Sequence, residues 1–394
     1  MKFIEIFYKF IKKNKIAPPH IFFDCLFEKL DKNSLGKGFD KYSVKTRKHW
    51  STAYGLIACS LVTKLSWIKE KKHTTIYSHI DSCRDWLKKN RGCHVTGAPI
   101  WSLPYKRLIW DDKKYNPPGT GFMIPTCHAV QALLDISLIH KSESNLNISI
   151  VEEVCNYAIS KMYDREKNGI VFWYSPMKQH SYHVTNATAM FAGQLQRVYK
   201  LTNNLLYKEK ANLAIKYLLH EKIKKQNNLY GWMYFGSTKI PNIKKGKNRN
   251  NDILHEAFVC HGLMEYKHSG GDLGYKYSYN DLYNIMSKFD HGKNIKEYPV
   301  YEINSKRKGK PARLLGLGYA LFVTSRLADL IKKENKKNGL PKKIYEEIYL
   351  RYNNKNGYLA EIPNGRDLSD HVRDVSYVLV GLSEYIKVLK KSNS

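Results

Sequence analysis

An all-α chain folded as an (α/α) six-hairpin toroid is predicted by two helix patterns and by the connections between them. Six segments are apolar at helical spacing and rich in small residues: Trp50–Leu61, Pro125–Asp135, Asn186–Leu195, Leu254–Tyr266, Leu314–Ser325 and Val372–Tyr385. Small residues on several faces suit helices enclosed on all sides, where backbones approach closely. Six amphipathic segments alternate with them, near Ile21–Leu30, Ile76–Lys89, Ile150–Met162, Leu205–Glu221, Tyr277–Phe289 and Ile344–Tyr352. Each carries a wide charged face, as an outer-ring helix requires.

Taken in order, residues 1–18 open the chain as an amphipathic helix. Phe3, Ile4, Phe7, Phe10 and Ile11 share one face, and Lys2, Lys9, Lys12 and Lys13 lie elsewhere. Such a helix either packs on the body of the protein or lies on a membrane surface. Glu5 and Lys9 interrupt it, so it is no secretory segment. Residues 19–394 are then expected to form a single toroid domain. Inner-to-outer connections are short, such as Leu201–Asn204 and His140–Asn147. Outer-to-inner connections are long: Arg91–Met123, Asp164–His183, Lys222–Asn251, Asp290–Ala312 and Asn353–Ser369. Long loops in a compact domain tend to carry function. Three of them place aromatics just after an Asn or Asn-Gly turn: Asn168-Gly-Ile-Val-Phe-Trp-Tyr, Asn228-Leu-Tyr-Gly-Trp-Met-Tyr-Phe and Asn356-Gly-Tyr-Leu. Turn residues ahead of alternating aromatics predict short β-hairpins rimming one mouth, at the N-termini of the inner helices.

Composition narrows the partners. The 394 residues include 66 Lys and Arg against 35 Asp and Glu, a net charge of +31. With 43% apolar residues the chain has material for a real core, which excludes disorder. The charge favours an anionic partner such as nucleic acid, an acidic glycan, a phospholipid surface or a diphosphate-linked substrate. No run of apolar residues is long enough to span a bilayer. The 7 cysteines are scattered without a Cys-x-x-Cys pair, which reads as reduced thiols in a cytoplasmic protein.

Chemistry is expected at the mouth. His180, Tyr182, His183 and Asn186 converge where the third long loop enters its inner helix, beside Trp173 and Tyr174. Tyr and His can move a proton, and an Asn amide can bind a developing carboxylate dianion or orient a hydroxyl. His255 and Glu256 open the fourth inner helix, where Glu256 equally complements the positive helix end. Around the ring follow Trp110, Asp111, Asp112, Trp232, Arg313, Glu361, Arg366, His371 and Asp374. Rings stack on sugar faces, and charged groups hold hydroxyls. Tyr182, His183, Asn186, His255, Glu256 and Asp374 are the catalytic candidates, and Trp110, Asp111, Asp112, Trp173, Tyr174, Trp232, Arg313, Glu361, Arg366 and His371 the substrate-binding ones.

His183-Val-Thr-Asn-Ala-Thr-Ala-Met-Phe-Ala-Gly-Gln-Leu and Leu254-His-Glu-Ala-Phe-Val-Cys-His-Gly-Leu-Met-Glu-Tyr resemble inner-helix patterns of six-hairpin glycosidase-like proteins associated with surface-polysaccharide biosynthesis. The resemblance spans roughly residues 45–390 and implies a toroid with a carbohydrate-binding funnel. It does not imply one reaction, because this superfold hosts hydrolases, lyases and epimerases. Cys260-His-Gly is similar to a zinc-ligand motif of lanthionine-synthetase-like cyclases, but no Cys lies between Cys155 and Cys260, so a site would have to recruit Cys127 or Cys155. Prenyltransferase-like toroids need an acidic cluster, for which Asp111-Asp112 is a thin match. No metal or cofactor is called for. Lysine runs at Lys69–Lys72, Lys244–Arg249, Lys306–Lys310 and Lys332–Lys343 lack any nucleic-acid-binding motif beside them. The sequence therefore reads as a cytoplasmic hydrolase or lyase for an anionic or lipid-linked glycan, at most peripheral to a membrane. A non-catalytic glycan- or nucleic-acid-binding scaffold is the alternative.

Overall fold

The computed structural model describes residues 16–32, 35–40, 43–108, 115–221, 231–242, 248–274, 277–331, 339–353, 358–360, 362 and 371–392. The N-terminal helix expected over 1–18 falls almost wholly outside them, as do Trp110, Asp111, Asp112, Glu361 and Arg366. The chain divides into two compact units interleaved in sequence. The first comprises the described residues through Cys83, then Asp252–Leu254 and those from Met286 onward; the second comprises Arg84–Asn251 and His255–Ile285.

The elements run α1 (Pro19–Asp31), β1 (Lys37–Asp40), β2 (Ser43–His49), α2 (Ser51–Leu65), α3 (His73–Lys89), β3 (Arg107–Leu108), β4 (Tyr115–Asn116), α4 (Met123–Ile139), α5 (Lys141–Lys161), β5 (Tyr163–Glu166) and β6 (Gly169–Phe172). They continue α6 (Thr185–Thr202), α7 (Leu205–Glu221), α8 (Ile253–His268), α9 (Tyr279–Ser287), a single turn α10 (Ser305–Lys308), α11 (Leu314–Leu330), α12 (Leu340–Leu350), β7 (Tyr352–Asn353), β8 (Tyr358–Leu359) and α13 (Val372–Lys391). All four sheets are two-stranded antiparallel hairpins.

The small-residue segments are α2, α4, α6, α8, α11 and α13, buried over nearly their whole length. Their composition is what permits this. In the second unit α6 meets α8 at Gly193 and Gly262, where a Cβ on Gly262 would overlap the Ala189 carbonyl. In the first unit α11 meets α13 at Gly318 and Gly381, where a Cβ on Gly381 would overlap the Gly318 carbonyl. Glycine lets backbones touch at both crossings.

Two pins recur in the second unit. Trp101 and Trp232 each donate an indole N–H to a carbonyl near the end of an amphipathic helix, Leu87 at 3.0 Å and Leu218 at 2.9 Å. Thr126 and Thr188, in the first turns of α4 and α6, each accept a backbone N–H from the preceding segment, from Trp101 and Phe172, both at 3.2 Å. These repeats tie each hairpin to the next.

Three boundaries differ from expectation. The connection foreseen at His140–Asn147 is instead the start of α5, since Lys141–Ser149 holds no Gly or Pro and Glu143 supplies a carboxylate for the positive first turn. Helix α4 begins before Pro125, which the first turn tolerates because its N–H would be unpaired there anyway. The β1–β2 hairpin was not foreseen, its strands being dominated by Lys, Arg and Ser, with Phe39 and Val44 as their apolar members. Among the described residues no helix is long and apolar enough to cross a membrane.

Candidate functional site

The second unit assembles its site from connections that meet at helix starts. Residues Trp232–Phe235 run as an extended bridge. One edge is stitched to the start of α6, with the Thr185 N–H donating to the Tyr234 carbonyl at 3.2 Å and the Thr185 hydroxyl to the Met233 carbonyl at 2.8 Å. The other edge holds the lead into α8, where the Asn251 N–H donates to the Trp232 carbonyl at 2.9 Å. At α4 the Met123 N–H donates to the Tyr174 carbonyl at 3.0 Å.

These stitches bring rings from separate loops into one continuous wall. His128 packs on Phe258 at 5.6 Å between centroids, Phe258 on His255 at 6.2 Å, and His255 on Tyr234 at 4.8 Å. The wall continues through Phe235 (4.8 Å), Tyr182 (6.4 Å) and His180 (5.3 Å). It ends on Tyr174 and Phe122, 5.6 and 5.3 Å from His180. Guanidiniums lie over ring faces along it, Arg249 at 5.4 Å from Tyr234 and Arg107 at 5.3 Å from Tyr174. Edge-to-face geometry predominates, which satisfies the ring quadrupoles and keeps the wall rigid.

Two imidazoles of the wall, His128 and His180, are neutral. Burial holds His128 down at about 3, with His261 adding to the effect. Burial likewise lowers His180 to about 3, and Arg107 reinforces it. Asn116 donates its amide to His180 Nδ1 at 2.8 Å, which leaves the proton on Nε2. His183, next to Tyr182 in the chain, is buried and tied to other partners. Its Nε2 donates to Asp164 at 2.8 Å, and its Nδ1 faces the Thr238 hydroxyl at 2.6 Å and the Lys239 N–H at 3.4 Å. Burial lowers its pKa against the opposing pull of Asp164. Asp164 is lowered overall: burial raises it, and the hydrogen bonds from His183 and Lys239 outweigh that. With both ring nitrogens engaged, His183 anchors the β5–β6 hairpin to the start of α6.

The sequence-derived candidates divide between the units. Tyr182, Trp173, Tyr174, His183, Asn186, Trp232, His255 and Glu256 lie in the second. Tyr182, Tyr174 and His255 belong to the wall. Asn186 is 1% exposed in the first turn of α6, and neither atom of its amide has a hydrogen-bond partner among the described residues. Glu256 accepts the Asn251 amide at 2.9 Å. Trp173 lies beneath the Lys239 ammonium at 5.0 Å. Trp232 is a core residue, wholly buried with its ring on Tyr277 at 5.5 Å.

Arg313, His371 and Asp374 lie in the first unit. His371 Nδ1 is 3.9 Å from the Asp374 carboxylate. Arg313 is gripped by two carboxylates, Glu297 at 2.5 Å on Nε and Asp252 at 3.1 Å on Nη2. Burial raises the Glu297 pKa and Asp252 adds to the rise, while Arg313 opposes both. Sequence reasoning missed Glu297, Arg107 and Arg249 as site residues. Glu297 and Arg249 sit in loops and Arg107 in the two-residue strand β3, none with a periodicity to mark it, and only the aromatics beside them gave a signal.

Neither the models of protein families nor the sequences of curated proteins give a match. Solved structures do. The chain is similar to a family 76 glycoside hydrolase, an α-mannanase from Bacteroides thetaiotaomicron, with TM-score 0.64 and 12% identity over 95% of this chain and 98% of that one. It is similar to cellobiose 2-epimerase from Spirochaeta thermophila, with TM-score 0.62 and 12% identity over 93% and 95%. It is also similar to a polysaccharide lyase, with TM-score 0.56 and 12% identity over 95% and 99%. These likenesses give the chain the (α/α) six-hairpin toroid fold that its alternating helices predict.

Proposed function

We propose that this protein is a carbohydrate-active enzyme whose second unit binds an anionic glycan along the ring wall. The observation that carries the reading is the wall itself: rings from several connections, rigidly packed, with the cations Arg107 and Arg249 over its faces. Tyr174, Tyr182, Tyr234 and Phe235, each 5–7% exposed, would offer their accessible ring edges to sugar C–H groups, and the fixed guanidiniums would offer paired donors to a carboxylate or phosphate. Three solved structures of this fold, named as a mannanase, an epimerase and a lyase, make a saccharide the natural substrate class. A lipid-linked or uronate-containing chain from surface-polysaccharide metabolism suits the charge of +31.

Lyase chemistry is the first reading. Tyr182 and His255 would carry the proton transfer, and the uncommitted amide of Asn186 can meet a carboxylate whose charge grows as the α-proton leaves. Hydrolysis is the second, favoured by one observation in the first unit. Asp252 and Glu297 form a buried carboxylate pair on one guanidinium, and their environment keeps a proton on Glu297 to higher pH than usual.

The test is a mass-spectrometric screen of polyanionic oligosaccharides with the full chain. A lyase leaves an unsaturated uronate and a hydrolase adds one water. Tyr234→Ala and Arg107→Gln are expected to weaken saccharide binding by about tenfold each, the worth of one stacking or charge-assisted contact. Wild-type protein that binds no acidic glycan, or variants that bind as well as wild type, would sink the proposal.

A further inference from the structure

The opposite end of the second unit has a different character. Its two helix reversals, α4 into α5 and α6 into α7, carry exposed leucines where polar turns are usual. Leu138 is 64% exposed, Leu146 48%, Leu201 40%, Leu205 69% and Leu206 43%. Among the described residues, the other large exposed apolar side chains stand singly or in pairs, which is ordinary for a protein surface. Five in two adjacent reversals is not, because α4 packs on α5 and α6, and α6 packs on α7, which brings the turns side by side.

Lysine predominates around these leucines, with Glu209 as an exposed carboxylate beside Lys208 on α7. Lys141 opens α5, Lys200 lies in the last turn of α6 one residue before Leu201, and Lys208 lies one turn after Leu205. The one nearby carboxylate on α5, Glu143, is paired with Lys88 at 3.3 Å. Lys208 and Lys216 also line an open cleft of about 430 Å³ with Asn212, Tyr266 and Asp272, so the basic face continues up α7.

We propose that these two reversals form a membrane-docking edge for an anionic phospholipid surface. The leucines enter the boundary between headgroups and acyl chains, and the lysine stems snorkel so that their ammonium groups meet lipid phosphates. The excess of lysine, with Lys141, Lys200 and Lys208 against Glu209, favours an anionic bilayer over a second copy of the chain, which would carry the same excess. The edge lies at the far end of α6 from the ring wall. Helix α6 has 18 residues, which at about 1.5 Å per residue spans about 27 Å. A docked molecule therefore holds the wall well away from the membrane plane, where it would meet the sugar chain of a lipid-linked glycan and not its diphosphate. The docking stands independently of the reaction proposed above.

Sedimentation of the full-length protein with phosphatidylcholine vesicles, with and without phosphatidylglycerol, tests this. Binding is expected only to the phosphatidylglycerol vesicles and should fall as salt rises. Leu201→Ser/Leu205→Ser/Leu206→Ser is expected to lower partitioning by about tenfold or more, and Lys141→Glu/Lys200→Glu/Lys208→Glu by a similar factor. All six positions are surface-exposed or nearly so, and unchanged thermal melts would confirm intact folds. The inference is overturned if wild-type protein ignores anionic vesicles. It is equally overturned if the leucine variant binds like wild type, or if light scattering shows a self-association that the leucine variant abolishes.

Discussion

In the first unit, α11 crosses α13 where Gly318 meets Gly381. In the second, α6 crosses α8 where Gly193 meets Gly262. The device is the same, and so is the cause: wholly buried helices must bring backbones together, and only glycine leaves room. What the units mount on these crossings differs. The first gathers charge near its helix starts, with Arg313 between Asp252 and Glu297, and Arg373 on Asp40 at 2.9 Å. The second gathers imidazoles and phenols in a wall, with His128 and His180 held neutral by burial. Shared packing beneath unlike rims teaches that the hairpin repeat fixes positions and leaves the chemistry of each rim free to vary.

The sharpest way to break the comparison is at its shared element. Gly262→Ala and Gly381→Ala each push a methyl into a carbonyl of the partner helix, which buried backbone cannot yield cheaply. Each is expected to cost on the order of 4 kcal/mol in denaturant unfolding, near the upper range for a single substitution. If one variant melts like wild type, the two crossings are not equivalent and the parallel fails.

Next in size is a difference in pH response. His128 and His180 titrate at about 3 when folded, below the ordinary value of 6.5. A depressed folded pKa contributes stability above 6.5 that is lost as pH falls toward 3, about 2–3 kcal/mol per imidazole by pH 4.5. Glu297 is raised, so its contribution is full below its ordinary value of 4.5 and is lost as pH rises through its folded pKa. Hydrogen exchange, corrected for intrinsic rates, should therefore show peptides of the second unit loosening first on acidification. His128→Phe should flatten that acid slope by one proton. Arg313→Met should do the reverse in the first unit. It leaves Asp252 and Glu297 buried without their cation, costs about 2–3 kcal/mol at neutral pH, and recovers part of the loss below pH 5. An acid slope unchanged by His128→Phe would mean that imidazole burial does not govern the second unit.

How far the sequence disclosed this follows from which features are periodic. The small-residue helices announced themselves because enclosure demands Gly, Ala, Ser and Thr at every face, and the aromatic loops because Asn-Gly turns precede them. A third regularity is present but easy to pass over. The thirteenth residues of α4, α6 and α8 are Asp135, Arg197 and Glu265, and those of α11 and α13 are Arg326 and Glu384. In the second unit Arg197 joins both neighbours, Asp135 at 2.5 Å and Glu265 at 3.5 Å. Composition within one helix cannot reveal this, since each charge makes sense only beside the next helix. Glu297 and Arg107 were illegible for a related reason: their partners lie 16 to 67 residues away, on Arg313 and Tyr174, across loops whose paths no local pattern dictates.

The smallest expected effect probes the repeat at its finest grain. Thr126 and Thr188 occupy the same place, the fourth residue of α4 and of α6, and each receives one backbone N–H at 3.2 Å. Each hydroxyl is also close to a carbonyl, Thr126 donating to Phe122 at 2.8 Å and Thr188 reaching Phe172 at 3.5 Å. Valine keeps the shape and removes the oxygen, so the Trp101 and Phe172 N–H groups lose their acceptor inside the protein. Each substitution should cost about 1 kcal/mol, the usual worth of one such bond, and the double variant about twice that if the sites are independent. Equal losses at the two sites would show that the hairpins are joined by one repeated bond. A loss confined to Thr126, whose hydroxyl makes the shorter second bond, would show that the repeat is geometric only.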